Sequence, residues 1–267
     1  MPFARAQSGL TIRYECEGRG PPLLLISGTG HDLTFWAGTL PILTHSYRCI
    51  VFDNRGVGES SIPEPGYALR DMADDALSVL DVLNVDRAHV MGFSMGGHIA
   101  QEFALNHPHR LLSLGIHHSW ARNDPRLEGF QRVRRRLAQL GEVEALADMS
   151  LFGIYGQAYY QSHLGEMRDR RARLIEALPS RLKGWEGQLD ACLKGDTSER
   201  LPAISVPTVI TCSDGDMIVA PHRSLEIHDR IAGSQYHLLH GTGHVALIER
   251  PDVFARICLE FLRSLPG

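Results

Sequence analysis

The sequence predicts an α/β protein: a mostly parallel sheet of eight strands with helices on both faces and one helical insertion. Three observations carry that expectation. Short apolar runs of strand length alternate with helix-compatible segments over residues 22–117. Residues 120–200 then hold only helical spacing, after which strands and helices alternate again. Finally, Gly92-Phe93-Ser94-Met95-Gly96 places a serine between an apolar run and a helix-compatible run, where the chain must turn sharply from strand to helix.

Taken in order, residues 3–17 read as an antiparallel hairpin turning at Gln7-Ser8-Gly9, with Leu10, Ile12 and Tyr14 alternating with polar neighbours. Residues 22–26 form a continuous apolar run, the pattern of a central strand buried on both faces. The run ends in Ser27-Gly28-Thr29-Gly30-His31, a loop whose glycines let backbone N–H groups point inward. A short helix is expected over 36–43 and a buried strand over 47–52. The turn-rich loop Asp53-Asn54-Arg55-Gly56-Val57-Gly58 follows, in which Asp53 and Arg55 are read as pins for the loop. Leu69, Met72, Ala73, Ala76, Leu77, Leu80 and Leu83 fall on one helical face. Residues 87–91 read as the strand before Ser94, 99–105 as a helix stopping at Pro108, and 111–117 as a further strand.

The insertion has helical spacing at Leu127, Phe130, Val133, Leu137 and Leu140, and further helical patterns over 142–151, 157–178 and 181–193. The arginines of 132–136 and 168–173 have acids nearby and are read as a solvated face. This divides the chain into a core of residues 1–119 and 201–267 and a helical cap, or lid, of residues 120–200. Phe152, Tyr155 and Trp185 of the cap are candidates to line a substrate pocket. The sheet resumes at 206–212, a helix covers 222–231, a last strand 235–239, and a helix 251–264.

Composition excludes several classes. With 267 residues, 43% hydrophobic and 22% charged, the chain suits one large α/β domain. A net charge of −4 without a block of like charge gives no basis for nucleic-acid binding. Positive charge is almost all arginine, Lys183 and Lys194 being the two lysines. Cys16, Cys49, Cys192, Cys212 and Cys258 are scattered and odd in number, which suits neither zinc nor a disulfide framework. The first residues lack the apolar core of a secretory leader, and no apolar run approaches the ~20 residues of a membrane span. The expectation is a soluble, cytoplasmic protein with a small-molecule partner.

In an open parallel sheet, ligands bind beyond the carboxyl ends of the strands. Four such ends offer chemistry: the Gly28–Gly30 loop, Ser94, the Asp214/Asp216 loop and His244. A serine hydroxyl needs a base within hydrogen-bond reach, and a histidine base needs a carboxylate to fix its tautomer. The chain supplies Ser94, then Asp214 or Asp216, then His244. A tetrahedral oxyanion would need two backbone donors; Met95 N–H is one, and an N–H of Gly28-Thr29-Gly30 the other. A metal site at His237, His240 and His244 is disfavoured, because His237 and His240 are three apart on a strand and face opposite ways. His31, His98, His117 and His118 are read as loop or supporting residues.

These motifs resemble the α/β-hydrolase family over nearly the whole chain. Gly92-Phe93-Ser94-Met95-Gly96-Gly97 resembles its nucleophile elbow, and residues 52–60 resemble the loop after its fourth strand. Ser213-Asp214-Gly215-Asp216-Met217-Ile218-Val219 resembles its acid loop, and Gly243-His244 with Glu249-Arg250-Pro251 its histidine loop. The resemblance selects Asp216 as the acid. One departure stands out: the family often has His-Gly at the oxyanion loop, where this chain has Ser27-Gly28. The backbone donor there, assigned to Thr29 N–H, does not need that histidine. The stretches 26–36 and 119–123 are similar to the group around 3-oxoadipate enol-lactonase and aminoacrylate hydrolase. The resemblance implies a serine hydrolase of esters or lactones that needs no metal or organic cofactor. C–C or C–N hydrolysis, cofactor-free haloperoxidase chemistry and slow-turnover ligand reception are the alternatives on the same fold.

Overall fold

The computed structural model describes residues 2–265, so Met1 and the final two positions of the 1–119 and 201–267 division lie outside the described residues. The apolar run at 22–26 becomes a strand in which Leu23, Leu24, Leu25 and Ile26 are all fully buried. Its side chains alternate between two cores, as the period of two demands. Leu24 and Ile26 pack with Met72, Ile99 and Ile227, whereas Leu23 and Leu25 pack with Leu43, Phe254 and Leu259.

Eight strands build the sheet: β1 (Phe3–Arg5), β2 (Thr11–Glu17), β3 (Pro22–Ile26), β4 (Arg48–Phe52), β5 (Ala88–Phe93), β6 (Leu111–His117), β7 (Thr208–Ser213) and β8 (Gln235–Leu239). Their spatial order is β1-β2-β4-β3-β5-β6-β7-β8. β1 and β2 pair antiparallel, as do β2 and β4, and every other neighbour is parallel. One face carries α2 (Leu69–Val82), α3 (Met95–Asn106) and α8 (Pro221–Arg230); the other carries α1 (Leu40–Leu43) and α10 (Pro251–Arg263). A single turn, α9 (Ala246–Glu249), precedes α10.

Several boundaries differ from expectation for local reasons. In place of one helix over 36–43 there is a 3₁₀ turn, Leu33–Trp36, and then the single turn α1, with Pro41 in its first turn. Proline has no N–H to continue a helix entered from before it, but suits a helix start. The strand before Ser94 runs on to Phe93, and α3 starts at once, at Met95. The loop after β4 is pinned as read. Asp53 accepts from Leu33 N (2.7 Å) and Glu59 N (2.9 Å), and Arg55 donates to the buried Asp75 at 2.6 and 2.8 Å.

Between β6 and β7 lie α4 (Pro125–Leu140), α5 (Val143–Ile154), α6 (Gln157–Ser162) and α7 (Leu164–Lys194). α7 passes straight through Pro179, where two helices were expected. Proline costs a helix about 3 kcal/mol. Leu178, Trp185 and Leu189 of α7 bury against Ala138, Leu146 and Ala147 of α4 and α5, and burial of a large apolar side chain is worth about 1.5–3 kcal/mol. Tertiary packing therefore outweighs the break. None of the described helices is long and apolar enough to cross a membrane.

α7 meets the β4 loop by direct backbone contact. A Cβ on Gly184 would lie 1.7 Å from the Gly56 carbonyl oxygen. No rotamer relieves a clash between backbones, so α7 would have to move. Gly184→Ala is expected to lower stability by about 2 kcal/mol despite the better helix propensity of alanine, and thermal denaturation checks this. An unchanged or raised Tm would show that α7 is not seated as described.

Candidate active site

Ser94 stands where β5 becomes α3, with φ +56° and ψ −119°. A non-glycine residue at positive φ costs of order 1–3 kcal/mol and persists only where its surroundings hold it. Here they do. Ser94 N donates to His117 O (2.8 Å), and Ser94 O accepts from Gly97 N (2.9 Å) and from Ser119 Oγ (2.8 Å). The turn is too tight for side chains on its flanks: a Cβ on Gly92 would lie 2.0 Å from Gly96 O, and one on Gly96 2.1 Å from Ile26 O. The serine side chain is thus turned outward at the carboxyl end of the sheet, at the N-terminus of α3.

His244 and Asp216 arrive on two other loops. His244 follows β8, and its Nε2 lies 2.9 Å from Ser94 Oγ; its Nδ1 lies 2.7 Å from Asp216 Oδ2. Asp216 can only accept, so Nδ1 carries the proton and Nε2 is left to accept from the Ser94 hydroxyl. The second oxygen of Asp216 accepts from Ile218 N (2.9 Å) and Val219 N (2.8 Å), which locks the carboxylate in place. Both Asp216 and His244 are buried. Asp214, the other candidate acid, faces away: it accepts from Gly241 N (2.8 Å) and pairs with His240 Nδ1 (2.9 Å) at the surface. The histidine loop is held by Glu249, whose carboxylate accepts from Gly243 N at 3.1 Å and from Gly156 N, at the start of α6, at 2.9 Å. Burial raises the pKa of that carboxyl, against the lowering effect of the Gly156 and Gly243 N–H groups.

The loop after β3 closes over the serine. A Cβ on Gly28 would lie 3.2 Å from Ser94 Cβ. Among the described residues Thr29 N–H has no acceptor, and Met95, as the first residue of α3, carries an N–H that no helical turn accepts. Gly30 N–H is not free, because it donates to Gln188 Oε1 of α7 (2.7 Å). The same Gln188 donates from Nε2 to Arg55 O (2.9 Å), tying α7 to both loops.

A small cavity of about 30 Å³ touches Ser94, His244, Gly28, Thr29, His31, Phe35, Phe93, Arg134, Ile154 and Ile218. A larger one, about 320 Å³, lies outside it, and His31, Arg134 and Ile154 border both. Of the three aromatic candidates, Tyr155 and Trp185 border the outer cavity. Phe152 does not: it is 68% exposed and faces a separate surface groove with Tyr160 and Met217. It sits on the side of α5 away from α4 and α7, where sequence spacing alone gave no direction.

Arg134 was missed. Read as part of a solvated arginine face, it is instead only 8% exposed, while Val133, one of the apolar residues at helical spacing, is 49% exposed. The buried face of α4 runs Leu127, Gln131, Arg134, Ala138, which is helical spacing with two polar members. That second periodicity was present in the sequence but hidden by the apolar one. His118, read as a supporting residue, packs beside the site. It stacks on Phe93 with ring centres 4.8 Å apart, and its Nε2 lies 2.7 Å from Ser213 Oγ. Burial holds the His118 pKa well below the ordinary histidine value, so the ring beside His244 is neutral.

A family model described as alpha/beta hydrolase fold matches residues 21–251. A protein of Stutzerimonas stutzeri that carries the name carbamate hydrolase RutD is 30% identical over 262 residues, covering 96% of this chain and 98% of its own. Its namesake from Azorhizobium caulinodans is 29% identical, with 98% of each chain covered. Among solved structures, the enol-lactonase of Burkholderia xenovorans LB400 is 26% identical with a TM-score of 0.90, over 98% of this chain and 100% of that one. An esterase of Thermogutta terrifontis is 26% identical with a TM-score of 0.88, over 100% and 99%. The eight-stranded sheet, the strained serine between β5 and α3 and the family match agree with one another, and the chain belongs to the alpha/beta hydrolase family.

Proposed function

We propose that the protein hydrolyses a carboxylic ester or lactone of a small molecule through an acyl-enzyme on Ser94. The observation that carries this reading is the continuous relay from Ser94 Oγ through His244 to Asp216, at 2.9 and 2.7 Å. In the first step Ser94 Oγ bonds to the acyl carbon as its proton passes to His244 Nε2, and the carbonyl π pair moves onto oxygen. Thr29 N–H and Met95 N–H receive that oxyanion. The oxyanion collapses, the acyl C–O bond breaks, and His244 returns the proton to the leaving oxygen. Water then gives a proton to His244, attacks the acyl-enzyme, and the second collapse frees the acid and restores the Ser94 hydroxyl. Residues 120–200 act in this reading as a cap, with Tyr155 and Trp185 on the approach to Ser94.

A second reading, hydrolysis of a carbamate-type C–N bond by the same residues, draws its support from the RutD-named relatives. One experiment tests both. Mixing enzyme with p-nitrophenyl butyrate is expected to give a burst of nitrophenol equal to the enzyme present, followed by steady turnover, and quenched samples should carry the butyryl mass on the peptide containing Ser94. A steady rate on carbamates exceeding that on every ester and lactone would favour the second reading. The absence of any adduct on Ser94 with esters, lactones and carbamates alike would sink both.

A further inference from the structure

Among the described residues, Arg134 is the one buried cation at the site with no part in the proposed acyl transfer. No side-chain hydrogen bond or ion pair reaches its guanidinium among the described residues, and its Nε is buried without a partner. Its neighbours on the same helices are treated differently. Arg135 pairs with Asp190, Arg170 with Glu166, Arg171 with Asp148 and Arg181 with Asp32. Arg134 has the faces of Trp185 and Phe130, at 4.9 and 5.3 Å from the guanidinium carbon. Aromatic faces attract a cation but offer no acceptors in the plane of its N–H groups. Burial without a compensating acid lowers its pKa to about 10. It therefore stays charged at neutral pH, and a buried charge without a partner is a standing cost to the fold.

Position gives that cost a purpose. Arg134 borders both the cavity at Ser94 and the larger one outside it. The outer cavity is also bordered by Arg170, Arg173 and Arg181, with Asp32 as its acid. Such a lining draws anions toward the site. We propose that Arg134 receives a carboxylate carried by the substrate, so that the scissile bond belongs to a small organic acid with its ester, lactone or carbamate group at one end and its charge at the other. A planar guanidinium binds a carboxylate with two parallel N–H···O bonds. A single buried cation neutralises a carboxylate fully, whereas a phosphate dianion would leave one negative charge unmatched in a closed site. The proposal rests on the acyl-transfer reading only for the position of the reacting bond.

The test compares two p-nitrophenyl esters of equal chain length, the neutral valerate and the anionic half-ester of glutarate. Wild type is expected to prefer the glutarate half-ester, and Arg134→Met is expected to lower the ratio of the two kcat/KM values about 30-fold. Arg134→Lys keeps the charge without the fork and should fall between them. A structural role would disturb both esters alike and leave the ratio where it was, which would overturn the proposal. So would a wild type that prefers the valerate. Thermal denaturation gives a second readout: with an unpaired buried charge removed, Arg134→Met should melt no lower than wild type. If wild type cleaves neither ester, the ester reading fails and the anion site is still decided, by calorimetric binding of glutarate to Ser94→Ala with and without Arg134→Met. A Kd weakened about 30-fold by the second change upholds the site, and no binding to Ser94→Ala rejects it.

Discussion

Replacing Ser94 with alanine is expected to lower kcat on p-nitrophenyl butyrate by about 10⁴-fold or more while leaving Tm within a few degrees of wild type. The rate falls that far because the proposed sequence runs through an ester of the Ser94 oxygen, which the first half makes and the second half breaks. What would survive is binding and the oxyanion stabilisation proposed for Thr29 N–H and Met95 N–H, which need no serine hydroxyl. Stability should hold because the contacts that keep residue 94 in its strained conformation are made by its own backbone, to His117 O, Gly97 N and Ser119 Oγ. His244→Ala should cost about as much as Ser94→Ala, and the double variant scarcely more than either, since the two groups act as one unit. Asp216→Asn should keep the fold but let His244 take the wrong tautomer, at a cost of about 10⁴ in kcat. Additive losses in the double variant would show that Ser94 and His244 work independently, and the relay would then be a structural hydrogen bond. The measurement is steady-state kcat and KM for all four variants, with circular dichroism melts beside them.

Much of this arrangement could be read from the chain because its signals are local. Leu23–Ile26 read as a buried strand because a run of strand length, apolar at every position and bounded by Gly20-Pro21-Pro22 and Ser27-Gly28, suits a sheet covered on both faces. Gly92 and Gly96 bracketed Ser94 for a reason that backbone geometry makes plain, with 2.0 and 2.1 Å contacts where a Cβ would stand. What escaped was directional. Phe152 lies near the end of α5 and Tyr155 just past it, and only the packing of this segment against α4 and α7 decides that Tyr155 borders the cavity and Phe152 does not. Arg134 lies in a run of charged residues whose exposure depends on how α4 is rotated, and the apolar periodicity placed that rotation wrongly by one residue. α7 ignored its proline because its packing outweighed it. Each of these is a tertiary decision, made by contacts between segments far apart in sequence.

Acid should unfold this protein earlier than its surface charge would suggest, and the cause is a set of buried histidines. His98, His117 and His118 are all fully buried. Burial lowers the His98 pKa to about 4 and the His117 pKa to about 3, and it holds His118 well below the usual value. An unfolded histidine takes up its proton near pH 6.5. Between pH 6.5 and about 4 the unfolded chain therefore binds more protons than the folded one at these sites, and stability falls as pH falls. Each such site contributes up to about 1.4 kcal/mol per pH unit, so three give up to about 4 kcal/mol per unit. Asp53, Asp75 and Glu249, whose carboxyl pKa values are raised by burial, act in the opposite sense, but only where carboxylates begin to protonate. The histidine term thus stands nearly alone between pH 6.5 and 5.5. Urea denaturation at pH 7.5, 6.5 and 5.5 should show a small loss of stability over the first step, about 1 kcal/mol, and a steeper one over the second, about 3 kcal/mol. His98 is the residue to remove, because neither ring nitrogen has a hydrogen bond to lose. His98→Leu should flatten the fall by about 1 kcal/mol between pH 6.5 and 5.5 without lowering kcat on p-nitrophenyl butyrate at pH 7.5. A midpoint that does not move between pH 6.5 and 5.5 would mean that water or a rearranged carboxylate such as Glu102 or Asp196 reaches these rings when they charge, and that their burial does not govern acid stability.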